Sequence, residues 1–194
     1  MEQKNTNRSF LKAVAGVEST PEMRETFEKR TREHIARVAA NMRLFEGYPG
    51  LDSDDLNRRG VSHDKSKFSS RELPGYVWVN EFHRHKRLGL PYSEPSGVKR
   101  MRQNAMGLHI GCNRHHPESH QDPNKMRLLD LAEMVADWTA MSQELKQNGG
   151  SCRKWAEENI GKWKFSESTK KKIFDLISYI DNQTLQRVCG GTHG

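Results

Sequence analysis

The sequence predicts an all-α protein that folds as a single domain. Apolar residues recur at the three- and four-residue spacing of amphipathic helices in several segments, and no segment shows the alternating pattern of a strand. Capping residues, prolines and glycines stand where these segments begin and end. The length of 194 residues suits one domain of ordinary size and is short for two.

The first helix is predicted to begin at Pro21, after the capping residues Ser19 and Thr20, and to run to about Glu46. His34 lies on its apolar stripe, so its side chain is predicted to point inward. A lone histidine on such a stripe is commonly a hydrogen-bonded core residue. The other members of the stripe are Phe27, Ile35, Val38, Met42 and Phe45.

The middle of the chain predicts shorter helices joined by polar segments. Residues 52–56 predict a cap and a short helical turn, and the segment GVSHDKSKF at 60–68 is interpreted as lying just inside a helix start. A helical segment follows at 74–87, and then a loop at 89–97 that is long enough to be functional or to cover a site. Residues 98–108 predict a helix that leads into the histidine-rich stretch LHIGCNRHHPESH.

The most regular helix is predicted over 124–147, with Leu128, Leu131, Val135 and Trp138 on one face. Glu133 and Asp137 are four residues apart and lie one turn from each other beside that face. A short helix from Ser151 to Trp155 and a final helix from Ser166 follow. The buried side of the final helix is predicted to be Ile173, Phe174, Leu176, Ile177 and Ile180. The predicted domain covers residues 19–188, with an N-terminal extension at 1–18 and a flexible tail at 189–194.

Composition and charge limit the classes of protein to which the chain can belong. There are 32 Lys and Arg against 25 Asp and Glu, a net charge of +7, and the mean hydropathy is −0.93. This surface favours partners that carry phosphate, although solubility alone would also explain it. No apolar run approaches the roughly 18 residues of a membrane span, and the start MEQKNTNRSFLKA has no apolar signal core. Three widely spaced cysteines do not form a disulfide framework, which favours a reducing compartment. Together, these features predict a cytoplasmic protein without a membrane partner.

Seven residues along the chain carry nitrogen or oxygen ligands for a divalent ion: His34, His63, Asp64, His109, His115, His116 and Asp137. A mixed set of imidazoles and carboxylates leaves coordination positions open for water and a phosphoryl oxygen, which is the arrangement for hydrolysis. Without an ion, each inward histidine or acid needs its own hydrogen-bond partner, whereas one ion satisfies them all.

The order of these residues resembles the HD-domain metal-dependent phosphohydrolases. That family has an isolated helix histidine, an HD pair followed by a lysine, and a late Ala-Asp on a helix, which correspond here to His34, His63-Asp64 with Lys67, and Ala136-Asp137. More narrowly, HDKSKFS, the LH followed by HH, and EMVADW are similar to a small bacterial and phage family of unknown function. The resemblance covers about residues 25–165. It departs where Lys65-Ser66 replaces an apolar residue and glycine.

The resemblance implies an HD-like helical bundle and a role for each matched residue. His34, His63, Asp64 and Asp137 correspond to the four basic metal ligands, and His109 and His115 to the pair that two-metal enzymes add. His116 either replaces His115 or supports a ligand. Lys67 corresponds to the lysine near the phosphate, Asp64 could also activate water, and Glu133 could orient a ligand imidazole. The implied cofactor is one or two ions of Mn, Fe, Co, Zn or Mg, and the implied substrate is a nucleotide or another phosphorylated small molecule.

Two other interpretations stay open. The terminal CGGTH resembles a zinc-binding segment of the alanyl-tRNA synthetase editing domain, with His116 and His120 at the HxxxH spacing of that domain. Separately, basic clusters at 84–87, 99–102 and 170–172 could bind a nucleic-acid backbone, with Trp155 and Trp163 available for stacking. In that case the chain would be a non-catalytic nucleic-acid-binding protein with a structural metal site.

Overall fold

Seven α-helices dominate the computed structural model, which describes residues 18–190 and the side chains of residues 18–187. Short 3-10 turns join several of the helices, and no strand occurs within residues 18–190. The predicted all-α fold class is confirmed. The helices are α1 (Pro21–Arg43), α2 (Ser53–Ser62), α3 (Leu73–Leu88), α4 (Val98–Cys112), α5 (Leu128–Glu144), α6 (Arg153–Asn159) and α7 (Glu167–Gly190).

The helices pack into two units, each built from two separate segments of the chain. The first unit contains residues 18–31 and 65–112, and the second contains residues 32–64 and 113–190. The single domain predicted over 19–188 stays a prediction. The predicted extension at 1–18 and tail at 189–194 lie almost entirely outside the described residues. None of the described helices has the length and apolar character of a membrane span.

The first unit is organised by the packing of α3 against α4. Gly75 on α3 permits this close approach, because a Cβ atom there would lie 2.4 Å from the Cβ of Ala105 on α4. Two apolar clusters support the pair. One contains Phe27, Tyr76, Val77 and Ala105, and the other contains Trp78, Val98 and Met101.

The second unit holds a larger apolar core formed by α1, α2, α5, α6 and α7. Buried apolar residues recur at helical spacing on α1, α5 and α7, which explains why these segments fold as helices that share one core. The shorter helices α2 and α6 contribute Leu56 and Ala156. On α2, Leu56 and Gly60 are buried one turn apart. A Cβ atom at Gly60 would lie 2.8 Å from the Cα of Ala39, so glycine lets α2 approach α1 closely. The most enclosed large side chains include Met42, Phe45, Leu56, Met134, Ile173, Leu176, Ile177 and Ile180.

Several helix boundaries differ from the prediction. Helix α1 ends at Arg43, because turns with left-handed glycines at Gly47 and Gly50 follow it. Helix α2 is a full helix of ten residues, whose N-cap Asp52 accepts a hydrogen bond from the amide of Asp55. Helix α4 continues to Cys112, while α5 is shorter than predicted at both ends. The loop predicted at 89–97 is confirmed up to its last residues, where the turn into α4 begins.

Candidate metal centre

Five imidazole and carboxylate side chains converge within the second unit. Helix α1 contributes His34, the C-terminal end of α2 contributes His63, and Asp64 follows directly. His115 comes from the segment after α4, and Asp137 comes from α5. The first four are buried, while the Asp137 side chain is 18% exposed. The inward orientation predicted for His34 is therefore confirmed.

The HD pair adopts a local conformation that the sequence did not predict. It does not lie inside a helix start: α2 ends at Ser62, His63 is the C-cap residue, and Asp64 has a φ of 55°. A residue other than glycine in the left-handed region costs roughly 1–2 kcal/mol, and such residues cluster at functional sites. This turn places the His63 imidazole and the Asp64 carboxylate on the same side of the backbone, with His63 Nε2 3.5 Å from Asp64 Oδ2.

The donor atoms lie close enough to share one ion. His34 Nε2 is 3.0 Å from Asp137 Oδ1 and 3.9 Å from Asp64 Oδ2. His63 Nε2 is 3.8 Å from Asp137 Oδ1, and His115 Nε2 is 3.7 Å from Asp64 Oδ1. Two donors that are each about 2.1 Å from one ion can be at most about 4.2 Å apart. All four separations fall below that limit.

The residues present fit a divalent cation. Two groups of three residues in this cluster have ligand atoms that all lie within 4.8 Å of one another, namely His34, His63 and Asp64, and His63, His115 and Asp137. Nitrogen and oxygen donors without sulfur suit borderline or hard ions. In addition, His63 Nε2 is buried and forms no hydrogen bond with any described residue. A buried polar atom of this kind is costly, and an ion bound there would remove the cost.

Carboxylate oxygens lie near the Nδ1 atoms of three of these imidazoles, whose Nε2 atoms face the cluster. Glu133 Oε1 is 2.9 Å from His63 Nδ1 and 3.3 Å from His115 Nδ1. Glu144 Oε2 is 3.7 Å from His34 Nδ1. Metal-binding histidines usually contact a carboxylate or carbonyl through the nitrogen that does not bind the ion. The predicted orienting position of Glu133 is thus present, although its role stays a prediction.

The cluster perturbs the ionisation of its members in the metal-free protein. Burial lowers the pKa of His34, but the carboxylates of Asp137 and Glu144 outweigh burial and raise it to about 9. Burial raises the pKa of Glu133, but His115 and His63 outweigh it and lower the value to about 2. Burial likewise opposes ionisation of Asp137, and the hydrogen bond with His34 still holds its pKa below the ordinary range. Several strongly shifted groups in one place are typical of functional sites.

Two predicted site residues lie in the first unit. His109 is on α4, and its Nδ1 is 3.0 Å from Glu72 Oε2 and 3.1 Å from Ser66 Oγ. Lys67 follows α2 on a 3-10 turn, with its Nζ 4.9 Å from the centre of the Tyr76 ring. The part of His109 in a second ion site and the part of Lys67 in phosphate binding stay predictions.

His115 and His116, the two alternatives for one predicted ligand, occupy different positions relative to the carboxylates of the cluster. His115 is buried and faces Asp64 and Glu133. His116 precedes a 3-10 turn, and its ring lies beside that of His115 with 4.2 Å between their centroids.

Sequence reasoning missed Arg59, Glu72, Asp130 and Glu144, since residues of these types are usually solvent-exposed and no motif marks them.

The other two sequence interpretations stay predictions. His120 and His116 flank a 3-10 turn and not a helix, and His120 Nε2 is 2.8 Å from the carbonyl oxygen of Arg114. The remaining ligands of that interpretation, Cys189 and His193, lie outside the residues whose side chains are described. Trp155 and Trp163, proposed for base stacking, both pack against Trp138.

These observations define a class: an all-α protein with a buried cluster of histidines and carboxylates that could hold a divalent ion. Residues 23–190 match a family described as "Family of unknown function (DUF5662)", and the chain belongs to that family. No curated protein and no solved structure matches the chain. The family match covers all of α1 except its first two residues, and all of the other six helices. Membership of the HD-domain group stays a prediction, with which the helical fold and the cluster are compatible.

Proposed function

We propose that the protein is an HD-type metal-dependent phosphohydrolase acting on a nucleotide or another small phosphorylated substrate. The observation that carries the proposal is the convergence of His34, His63, Asp64 and Asp137, which are far apart in sequence. The Nε2 atoms of His34 and His63 each lie 3.0–3.9 Å from an oxygen of Asp64 and an oxygen of Asp137. This is the residue set that the resemblance to HD enzymes assigns to the metal.

The chain would supply the remaining chemistry through defined atoms. A divalent ion held by these residues would act as a Lewis acid, which would lower the pKa of a water and polarise a phosphoryl group. In this proposal the Asp64 carboxylate would also orient that water and accept its proton. Its Oδ2 lies 3.9 Å from His34 Nε2 and 3.5 Å from His63 Nε2. The Nε2 atom of His115 lies 3.7 Å from the other oxygen of Asp64.

The substrate class is supported by charge. A net charge of +7 attracts phosphate-bearing molecules and raises their rate of encounter with the protein. A mixed site of imidazoles and carboxylates also suits phosphoester or phosphoanhydride hydrolysis, since it leaves the ion with open positions. Both features favour a nucleotide over an uncharged substrate.

The proposal is tested by hydrolysis of a panel of nucleoside mono- and triphosphates with added manganese. Asp64→Asn is the sharpest variant, because asparagine tolerates the left-handed backbone at this position while removing the charge. Asp54→Asn, at an exposed position on α2, controls for the same substitution elsewhere. We expect Asp64→Asn and His63→Gln to lose at least about 100-fold in activity and the control to lose none.

Activity that persists in Asp64→Asn would contradict the proposal. Salt-dependent binding of nucleic acid that survives loss of His63 and Asp64, without hydrolysis, would instead support the non-catalytic alternative.

A further inference from the structure

The imidazoles of His63 and His115 face one oxygen of one carboxylate. Glu133 Oε1 lies 2.9 Å from His63 Nδ1 and 3.3 Å from His115 Nδ1. An ionised carboxylate only accepts hydrogen bonds, so each Nδ1 facing it carries a hydrogen. In a neutral imidazole, the unprotonated nitrogen is then Nε2. For both rings, Nε2 is the atom directed toward Asp64.

A charged side chain also contacts the other oxygen of Glu133. Arg59 on α2 forms an ion pair with Glu133, with its Nε 2.9 Å from Oε2, the oxygen that does not face the imidazoles, although these two atoms are not aligned as a hydrogen bond. The same guanidinium donates a hydrogen bond to Asp130. Asp130 is fully buried and also accepts hydrogen bonds from Arg114 and Arg127. Arg59 therefore joins two buried carboxylates one turn apart on α5.

We propose that Arg59, held by Asp130, positions Glu133 so that one carboxylate fixes both His63 and His115 with hydrogen on Nδ1. Arg59 is a positioning residue, since its contacts are with Glu133 and Asp130 and not with the imidazoles. The planar guanidinium can contact two carboxylates at once, which a lysine ammonium at the same position does less well. Without this contact, Glu133 can rotate, and a single oxygen no longer faces both rings.

The expected effect of this arrangement on metal affinity rests on the proposed function, whereas the positioning of the two rings does not. With both rings fixed, two Nε2 lone pairs are presented on the side of Asp64 before any ion binds. Fixing ligands in this way raises metal affinity, because less ordering is needed on binding. The corresponding contacts at His34 are longer. Glu144 Oε2 lies 3.7 Å from His34 Nδ1 and 4.0 Å from Arg37 Nη1.

The direct test measures histidine tautomers in the metal-free protein by long-range proton–nitrogen NMR on ¹⁵N-histidine-labelled samples. Spectra are recorded over a pH series, because only a neutral ring, with one protonated nitrogen, identifies a tautomer. The variants are Arg59→Gln and Arg59→Lys. Arg58→Gln is the matched control, because Arg58 is the neighbouring, 70% exposed residue of the same helix and pairs only with Asp55 among the contacts described.

We expect Nδ1–H rings for His63 and His115 in the parent and in Arg58→Gln. In Arg59→Gln, we expect mixed or exchanging tautomers for these two rings, with partial restoration in Arg59→Lys. The variant should still fold, because Arg59 is 22% exposed and Asp130 retains Arg114 and Arg127. Rings that carry hydrogen on Nε2 in the parent, or unchanged tautomers in Arg59→Gln, overturn the inference.

A second measurement separates this inference from the proposed function. The dissociation constant for Mn²⁺ is measured for the same four proteins, and we expect it to rise about tenfold in Arg59→Gln and to change less than about twofold in Arg58→Gln. A parent that binds no metal contradicts the proposed function but leaves the tautomer result to decide the positioning role. Tight metal binding that is equal in all four proteins contradicts the positioning role alone.

Discussion

The close approach of α1 and α2 at Gly60 is what brings His34 near His63, and Gly60→Ala tests it. The added Cβ would lie 2.8 Å from the Cα of Ala39 and 3.3 Å from the Cβ of Met42. The first distance is 0.6 Å below the 3.4 Å at which ordinary contact begins. Because the nearest atom is backbone, the helices themselves must move apart. Overpacking of this kind costs about 1–3 kcal/mol.

The expected net effect is smaller than that cost, since replacing glycine by alanine within a helix by itself stabilises by roughly 0.5–1 kcal/mol. We therefore expect Gly60→Ala to lower the free energy of unfolding by up to about 2.5 kcal/mol, measured by urea unfolding followed by circular dichroism. The displacement should also weaken metal binding, because the His34 and His63 ring centroids are only 5.5 Å apart.

Gly107→Ala is the matched control for this variant. Gly107 lies within α4, and a Cβ there meets no atom within 4 Å, so alanine should leave stability unchanged or raise it by up to about 1 kcal/mol. A Gly60→Ala protein as stable as the parent, with unchanged metal affinity, would refute the reasoning that this contact positions the two histidines.

Two further predictions concern the metal-free protein. The folded-state pKa of His34 is about 9, above the ordinary 6.5, so its stabilising contribution is fully present below pH 6.5 and is lost as the pH rises through 9. The urea midpoint should fall over that range, and His34→Asn should flatten the fall; an equally steep fall in His34→Asn would contradict the assignment. Asp64→Ala should be about 1 kcal/mol less stable than Asp64→Asn, because both remove the charge but only asparagine tolerates φ of 55° well. Equal stability of the two variants in thermal unfolding would show that the backbone at this position is not strained.

Features that depend on local periodicity were predictable from the sequence. The stripe on α1 predicts that His34 points inward, and it is 7% exposed. The positions of Glu133 and Asp137 beside the apolar face of α5 predict that both approach the core, and Glu133 is 3% exposed. In each case the residue's orientation follows from its place on one helix, which the spacing of apolar residues determines.

Features that depend on tertiary contacts were not predictable in this way. The left-handed turn at Asp64 has no glycine to mark it, and it is maintained by the surrounding packing. Likewise, the contact between Arg59 and Asp130 joins residues 71 positions apart. Arginine and aspartate are usually exposed, so composition and periodicity give no reason to place this pair beside a buried site. The ends of α4 and α5 differ from the prediction because helix termini depend on capping contacts with the rest of the fold.

The central claim is that the cluster of His34, His63, Asp64 and Asp137 binds a divalent ion. Its most direct test is the metal content of the purified protein, measured by mass spectrometry after supplementation with manganese, iron or zinc, for the parent and Asp64→Asn. The account predicts about one or two ions per chain in the parent and their loss in the variant. A parent that retains no metal under any of these conditions, while remaining folded, would contradict it.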